Sequence, residues 1–163
     1  MKTILSVLVE NKSGILARTA GLFARRGFNI ESLAVGETAD PKISRMTIVV
    51  DGDVNIINQV EKQLNKQIDV IKVRALETGE ALSREAALIK VKAGASALGQ
   101  IKDIAAIMKA EIVDLSPATA TLQITDAPER VRQLLELLKP FGIYEMARTG
   151  TVTLQKGESA LRI

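Results

Sequence analysis

The apolar pattern of this chain runs through one order of elements and then runs through it again, and that recurrence constrains the fold more than any single motif. Ile4-Leu5-Ser6-Val7-Leu8-Val9 is a nearly continuous apolar run, as expected of a buried central strand. Leu16, Thr19, Ala20 and Phe23 follow at i, i+3, i+4, i+7, one face of a helix, with Ser13 placed to cap its start and Gly27 to stop it. Residues 28–35 read as a strand, Ala39-Asp40-Pro41-Lys42 as a turn, and Met46, Ile48 and Val50 alternate with Arg45, Thr47 and Val49 as a third strand. Asp51-Gly52-Asp53 opens a second helix with Ile57, Val60 and Leu64 inward, and Val70-Ile71-Lys72-Val73 is a fourth strand. The order is βαββαβ.

Residues 77–83 read as a linker, after which the order returns. Leu88-Ile89-Lys90-Val91 is a strand; Leu98, Ile101, Ala105 and Met108 form a helical stripe; Ile112 to Leu115 is a strand ended by Ser116-Pro117. Ala120, Leu122 and Ile124 alternate with Thr119, Thr121 and Gln123. Asp126-Ala127-Pro128-Glu129 has capping-box spacing, and Val131, Leu134, Leu135 and Leu138 make the next helix face. Residues 142–148 and Val152-Thr153-Leu154 close the chain as strands. The expectation is an α+β protein of two ferredoxin-like βαββαβ domains, residues 1–77 and 84–163. Each is a four-stranded antiparallel sheet with two helices on one face. A sheet this small with one apolar face uncovered favours association, most simply a two-fold homodimer.

Composition narrows the chemistry. The 163 residues include no Cys and no His, which removes disulfides, thiolate and imidazole metal sites, and any Ser-His-Asp triad. Aromatics are 2% of the chain, with no Trp, so aliphatic side chains fill the core and base-stacking platforms are not expected. A net charge of +3 is spread over interspersed Lys, Arg, Asp and Glu, giving no basic stripe for nucleic acid. No apolar stretch approaches the ~20 residues of a membrane span. Met1-Lys2-Thr3 leads straight into a strand-like run without a cleavage site, so a cytoplasmic location is expected. No GxGxxG, P-loop or nucleophile elbow occurs, and Asp51 and Asp53 read as turn and cap residues.

The segment Asn11-Lys12-Ser13-Gly14-Ile15-Leu16 is the candidate binding site. A helix start offers unpaired N–H donors and the positive end of the dipole, which suits a carboxylate or phosphate. Gly14 gives a ligand access to the backbone, Asn11 can donate and accept as a zwitterion requires, and Ile15 and Leu16 offer apolar contact. An ordinary βα turn, capped by Ser13 and relaxed by Gly14, uses the same residues, and spacing alone favours that plainer reading. Asn29, beside Ile30, is either an edge-strand amide satisfied by backbone or a residue that reaches a ligand across an interface. Arg45 is a sheet residue with Glu31 as a candidate partner.

The blocks Asn11-Lys12-Ser13-Gly14-Ile15-Leu16-Ala17-Arg18, Gly21-Leu22-Phe23, Arg26-Gly27-Phe28-Asn29-Ile30-Glu31-Ser32-Leu33, Asp40-Pro41 and Ser44-Arg45-Met46-Thr47-Ile48 resemble the small, regulatory subunits of acetolactate synthase (acetohydroxyacid synthase). The resemblance implies an N-terminal ACT domain and a C-terminal ferredoxin-like domain. It implies a chain without catalysis of its own. Such a chain binds and activates the large catalytic subunit and confers feedback inhibition by branched-chain amino acids, typically valine, with leucine and isoleucine as alternatives. Thiamine diphosphate, Mg2+ and FAD belong to the catalytic subunit. The effector site lies between two copies, with Asn11, Ser13, Gly14, Ile15 and Leu16 of one facing Asn29 and Ile30 of the other. Arg148-Thr149-Gly150 fits the closing segment of the family, whereas Ala86 is smaller than the residue expected there. Two other classes stand beside this one: a stand-alone amino-acid sensor acting on transcription, for which no helix-turn-helix is visible, and an enzyme, for which only carboxylates and Lys remain as catalysts.

Overall fold

The computed structural model describes residues 2–163. The chain divides into two compact units, one of Met1–Leu82 together with Thr151–Ile163, the other of Ser83–Gly150.

In the first unit β1 (Lys2–Glu10), α1 (Ile15–Arg25), β2 (Ile30–Glu37), β3 (Ile43–Asp51), α2 (Val54–Asn65) and β4 (Val70–Leu76) follow in the expected order. The strands form an antiparallel sheet in the order β2-β3-β1-β4. Alternation sends Leu5, Val7 and Val9 of β1 and Met46, Ile48 and Val50 of β3 to one face. There they pack on Ile15, Leu22 and Phe23 of α1 and on Ile57, Val60 and Leu64 of α2. The stripe on α1 differs from the i, i+3, i+4, i+7 reading. Ile15 (3% exposed) and Leu22 face the core, while Leu16 is 47% exposed. Ser13 does not cap α1 either; the cap position is Gly14.

The other face of this sheet is not bare. Ile4, Val49, Leu76 and Ala81 form a second buried cluster on it. Burial on both sides explains why β1 reads as a continuous apolar run rather than an alternating one. The closing segment Thr151–Ile163, which the sequence reading placed with the second domain, belongs to this unit and lies on that face. Its backbone N–H at Thr151 donates to Ser32 Oγ at 2.8 Å. Arg45 donates to the Thr153 carbonyl at 3.1 Å, Arg74 to Gln155 Oε1 at 2.7 Å, and Lys72 to the Arg162 carbonyl at 3.0 Å. Ser32, Arg45, Lys72 and Arg74 all alternate with helix-facing core positions, which puts them on the second face. Glu31, the expected partner of Arg45, pairs instead with Lys2 at 2.9 Å. Desolvation and the neighbouring Arg74 lower the pKa of the Arg45 guanidinium.

The second unit holds β5 (Ala81–Lys92, whose first two residues lie in the first unit), α3 (Ala95–Met108), β6 (Glu111–Leu115), β7 (Thr119–Asp126), α4 (Pro128–Leu138), a 3-10 turn (Lys139–Phe141) and β8 (Ile143–Arg148). The antiparallel order is β6-β7-β5-β8, and the last strand of the chain, β9 (Val152–Gln155), belongs to the closing segment of the first unit. The apparent linker shrinks to residues 77–80 because β5 starts at Ala81. The core unites Ile89 and Val91 with Ile101, Met108, Leu122 and Leu134, as the two periodicities predict. No capping box forms at α4: Ala127 is the N-cap, Pro128 sits in the first turn, and Asp126 accepts from the Ala127 N–H at 2.7 Å and pairs with Arg130. Those two donors hold the Asp126 carboxyl below its ordinary range. Glu85, 3% exposed, is gripped by both Nε and Nη2 of Arg148, the latter at 2.9 Å. This pairing raises the Arg148 pKa.

Candidate functional site

The turn between β1 and α1 is built by its neighbours. Glu10 N–H donates to the Asp69 carbonyl at 2.9 Å and Asn11 N–H to the Lys42 carbonyl at 2.7 Å, so the turn is pinned to the α2–β4 and β2–β3 connections at once. Gly14 then takes φ 85°, ψ −9° as the N-cap of α1. This is the left-handed region, which favours glycine. A Cβ at Gly14 would meet nothing within 4 Å, so conformation rather than crowding selects glycine, and the space above it is open.

The start of α1 is electrostatically unanswered. No side chain caps it and its first turn holds no acidic residue. The first-turn amides of Ile15, Leu16 and Ala17 lie ahead of the first i→i−4 bond, from Arg18 N–H to the Gly14 carbonyl at 3.0 Å. At α2, by contrast, Asp53 Oδ1 accepts from Ile56 N–H at 2.9 Å. Around the open helix start, Lys12 pairs with Glu10, which raises the Lys12 pKa, and Arg18 pairs with Asp69 at 2.6 Å.

Asn11 is more committed than its sequence position reveals. Its Nδ2 donates to the Pro41 carbonyl at 2.9 Å and to Glu37 Oε1 at 3.1 Å. Both neighbours are acceptors, so the amide orientation is fixed: Nδ2 is spent inside the turn and Oδ1 is left as the group Asn11 can offer a ligand. Of the expected residues, Asn11, Ser13, Gly14 and Leu16 are exposed at one place, and Ile15 is in the core. Glu37 is the residue at this place that sequence reasoning missed. It lies 26 positions from Asn11, and only the β2–β3–β1 register brings them together.

Asn29 and Ile30 are elsewhere. Ile30 pairs with Val50 and Lys2 with Asp51, whereas Glu37 pairs with Ser44 and Glu10 with Ile43. The two groups thus sit at opposite ends of the sheet, separated by the length of β2, roughly 23 Å at 3.3 Å per residue. One copy of the chain does not unite them. Among the described residues no group of three or more Asp or Glu gathers as a metal site, and no helix is long and apolar enough to cross a membrane.

Known proteins match the chain along its length. A family model described as "AHAS small subunit-like ACT domain" matches residues 5–72, and one described as "Small subunit of acetolactate synthase" matches residues 84–157. The acetolactate synthase small subunit of Mycolicibacterium smegmatis is 49% identical over 94% of this chain and 90% of that protein. The probable acetolactate synthase small subunit of Methanothermobacter thermautotrophicus is 47% identical over 97% of this chain and 95% of that one. Among solved structures, the acetolactate synthase small subunit of Thermotoga maritima superposes with a TM-score of 0.90 at 38% identity, covering 98% of this chain and 99% of that one. With this identity sustained across both halves, the chain belongs to the acetolactate synthase small-subunit family.

Proposed function

We propose that this chain is the regulatory subunit of acetolactate synthase. It associates with the catalytic large subunit, raises its activity, and makes it subject to feedback inhibition by a branched-chain amino acid, with valine as the first candidate. Thiamine diphosphate, Mg2+ and FAD are assigned to the catalytic partner. The observation that carries this reading is the start of α1, an uncapped helix terminus at a positive-φ glycine with open space above it. The effector's carboxylate takes the free amides beyond Gly14, and its ammonium takes the Asn11 Oδ1.

The site is completed by a second copy. β2 is an edge strand of its sheet. Antiparallel pairing of two β2 edges about a two-fold axis sets the start of one against the end of the other. Asn29 and Ile30 of the partner subunit then arrive beside residues 36–37 and Asn11, which one copy alone keeps at the far end of the sheet. A ligand held between two copies binds one quaternary arrangement better than another, and a coupling of ~1–3 kcal/mol of this kind changes activity ~5–150-fold.

The test is calorimetric titration of the purified chain with valine, beside Gly14→Asp and Asn29→Ala, followed by reconstitution with the catalytic subunit. The expected result is saturable wild-type binding lost in both variants, while both still activate the catalytic subunit. Undiminished valine binding in both variants would sink the site.

A further inference from the structure

The effector reading leaves one charged group at the turn without a task. Of the carboxylates around residues 11–14, Glu10 is paired with Lys12, Asp69 with Arg18, and Asp40 accepts from the Lys42 N–H at 3.0 Å. Glu37 differs. Among the described residues no Lys or Arg reaches it within ion-pair distance, and its side chain is exposed at the last position of β2. One of its oxygens accepts from Asn11 Nδ2, so it stands in contact with a residue of the site.

Resting on the effector reading above, we infer that Glu37 is the ammonium anchor of the site, and that it selects α-amino acids over the corresponding 2-oxo acids. The open amides of α1 attract a carboxylate, which both ligand classes carry, so they do not tell the classes apart. The difference lies at the neighbouring carbon, where the amino acid has a cation and the 2-oxo acid a neutral carbonyl. Asn11 offers only Oδ1 there, a neutral acceptor. An unpaired carboxylate alongside it supplies a charge-assisted bond to an ammonium and presents only a repelling oxygen to a ketone. The opposed ends of a zwitterion thereby meet opposed charges: the positive helix start on one side and Glu37 on the other. Glu37 also lies at the end of β2 to which a two-fold edge pairing brings the partner subunit's Asn29, so the anchor sits at the seam between copies.

Glu37→Gln isolates the charge. The glutamine carbonyl still accepts from Asn11 Nδ2, which keeps the Asn11 amide oriented, and the position is exposed, so the variant folds. Wild type, Glu37→Gln and Gly14→Asp are titrated with L-valine and with its 2-oxo analogue, 3-methyl-2-oxobutanoate. Wild type is expected to prefer valine. Glu37→Gln is expected to weaken valine by about tenfold or more and to leave the 2-oxo acid unchanged or slightly tighter, while Gly14→Asp loses both. Wild-type valine affinity in Glu37→Gln, with binding abolished by Gly14→Asp, overturns the anchor and leaves the site standing. An equal fall for both ligands in Glu37→Gln also overturns it, since that marks a structural role. Binding that Gly14→Asp leaves intact removes the site, and the anchor with it.

Discussion

The two units repeat one architecture down to the anchoring of their first turns. In the first, Glu10 N–H and Asn11 N–H donate to the carbonyls of Asp69 and Lys42; in the second, Lys92 N–H and Ala93 N–H donate to those of Gly142 and Ala118, each at 2.9 Å. Both following helices lack a side-chain cap. What differs is the turn itself. The first has four residues, 11–14, ending in Gly14 at φ 85°; the second has two, Ala93 and Gly94, with Gly94 extended at φ −67°, ψ 169°. Ala93 is buried and carries no polar group where Asn11 reaches the next connection. A bare helix start is therefore not a site by itself. The two extra residues, the positive-φ glycine and the amide fixed against Glu37 distinguish the turn proposed to bind from the turn that connects.

The units also answer burial differently. The first covers its second sheet face with the closing segment, held by cations donating to neutral acceptors. The second places one carboxylate, Glu85, in a buried pair with Arg148. The largest effect on this contrast should come from Arg148→Met, which leaves Glu85 buried and unpartnered. We expect about 3 kcal/mol of destabilisation in urea unfolding, at the lower end for a broken buried pair because Arg148 is partly exposed. Gly14→Asp comes next: a side chain forced into positive φ and a carboxylate occupying the free amides should lower valine affinity about 100-fold, read by calorimetry. Arg45→Met should cost about 1 kcal/mol and speed tryptic cleavage after Lys156, because it releases the carbonyl of Thr153 from the sheet face. Unaltered cleavage would mean that the segment is held by its other contacts. The smallest effect is the sharpest control. Gly94→Asp has open space and an ordinary backbone, so it should change stability by less than about 0.5 kcal/mol and leave valine binding untouched. Loss of binding there would erase the distinction between the two turns.

Much of this was legible along the chain. Element order, strand alternation in β3 and β7, and the stripes of α2, α3 and α4 follow from periodicities of two and 3.6, which are local. So does the glycine before α1, which a sharp strand-to-helix turn demands. The stripe of α1 keeps Thr19 and Phe23 but takes Ile15 in place of Leu16, because the two are adjacent and equally apolar; which one faces inward depends on where the helix starts, and Gly14 rather than Ser13 sets that start.

The remainder was decided by tertiary structure, since it depends on residues far apart in the chain. The return of Thr151–Ile163 to the first unit rests on contacts spanning 81 to 119 residues, and no local pattern encodes a pairing between Thr153 and Arg45 or between Thr151 and Ser32. The role of Asn11 is of the same kind. The sequence supplied an amide able to donate and accept; the register of β1, β3 and β2 brought Pro41 and Glu37 against its donor and left only its acceptor free. Sequence thus determined the elements and the position of the turn, because those depend on side-chain spacing and backbone conformation. Which atoms of the turn stay free was determined by sheet register, because that alone sets which distant groups share one end of the sheet.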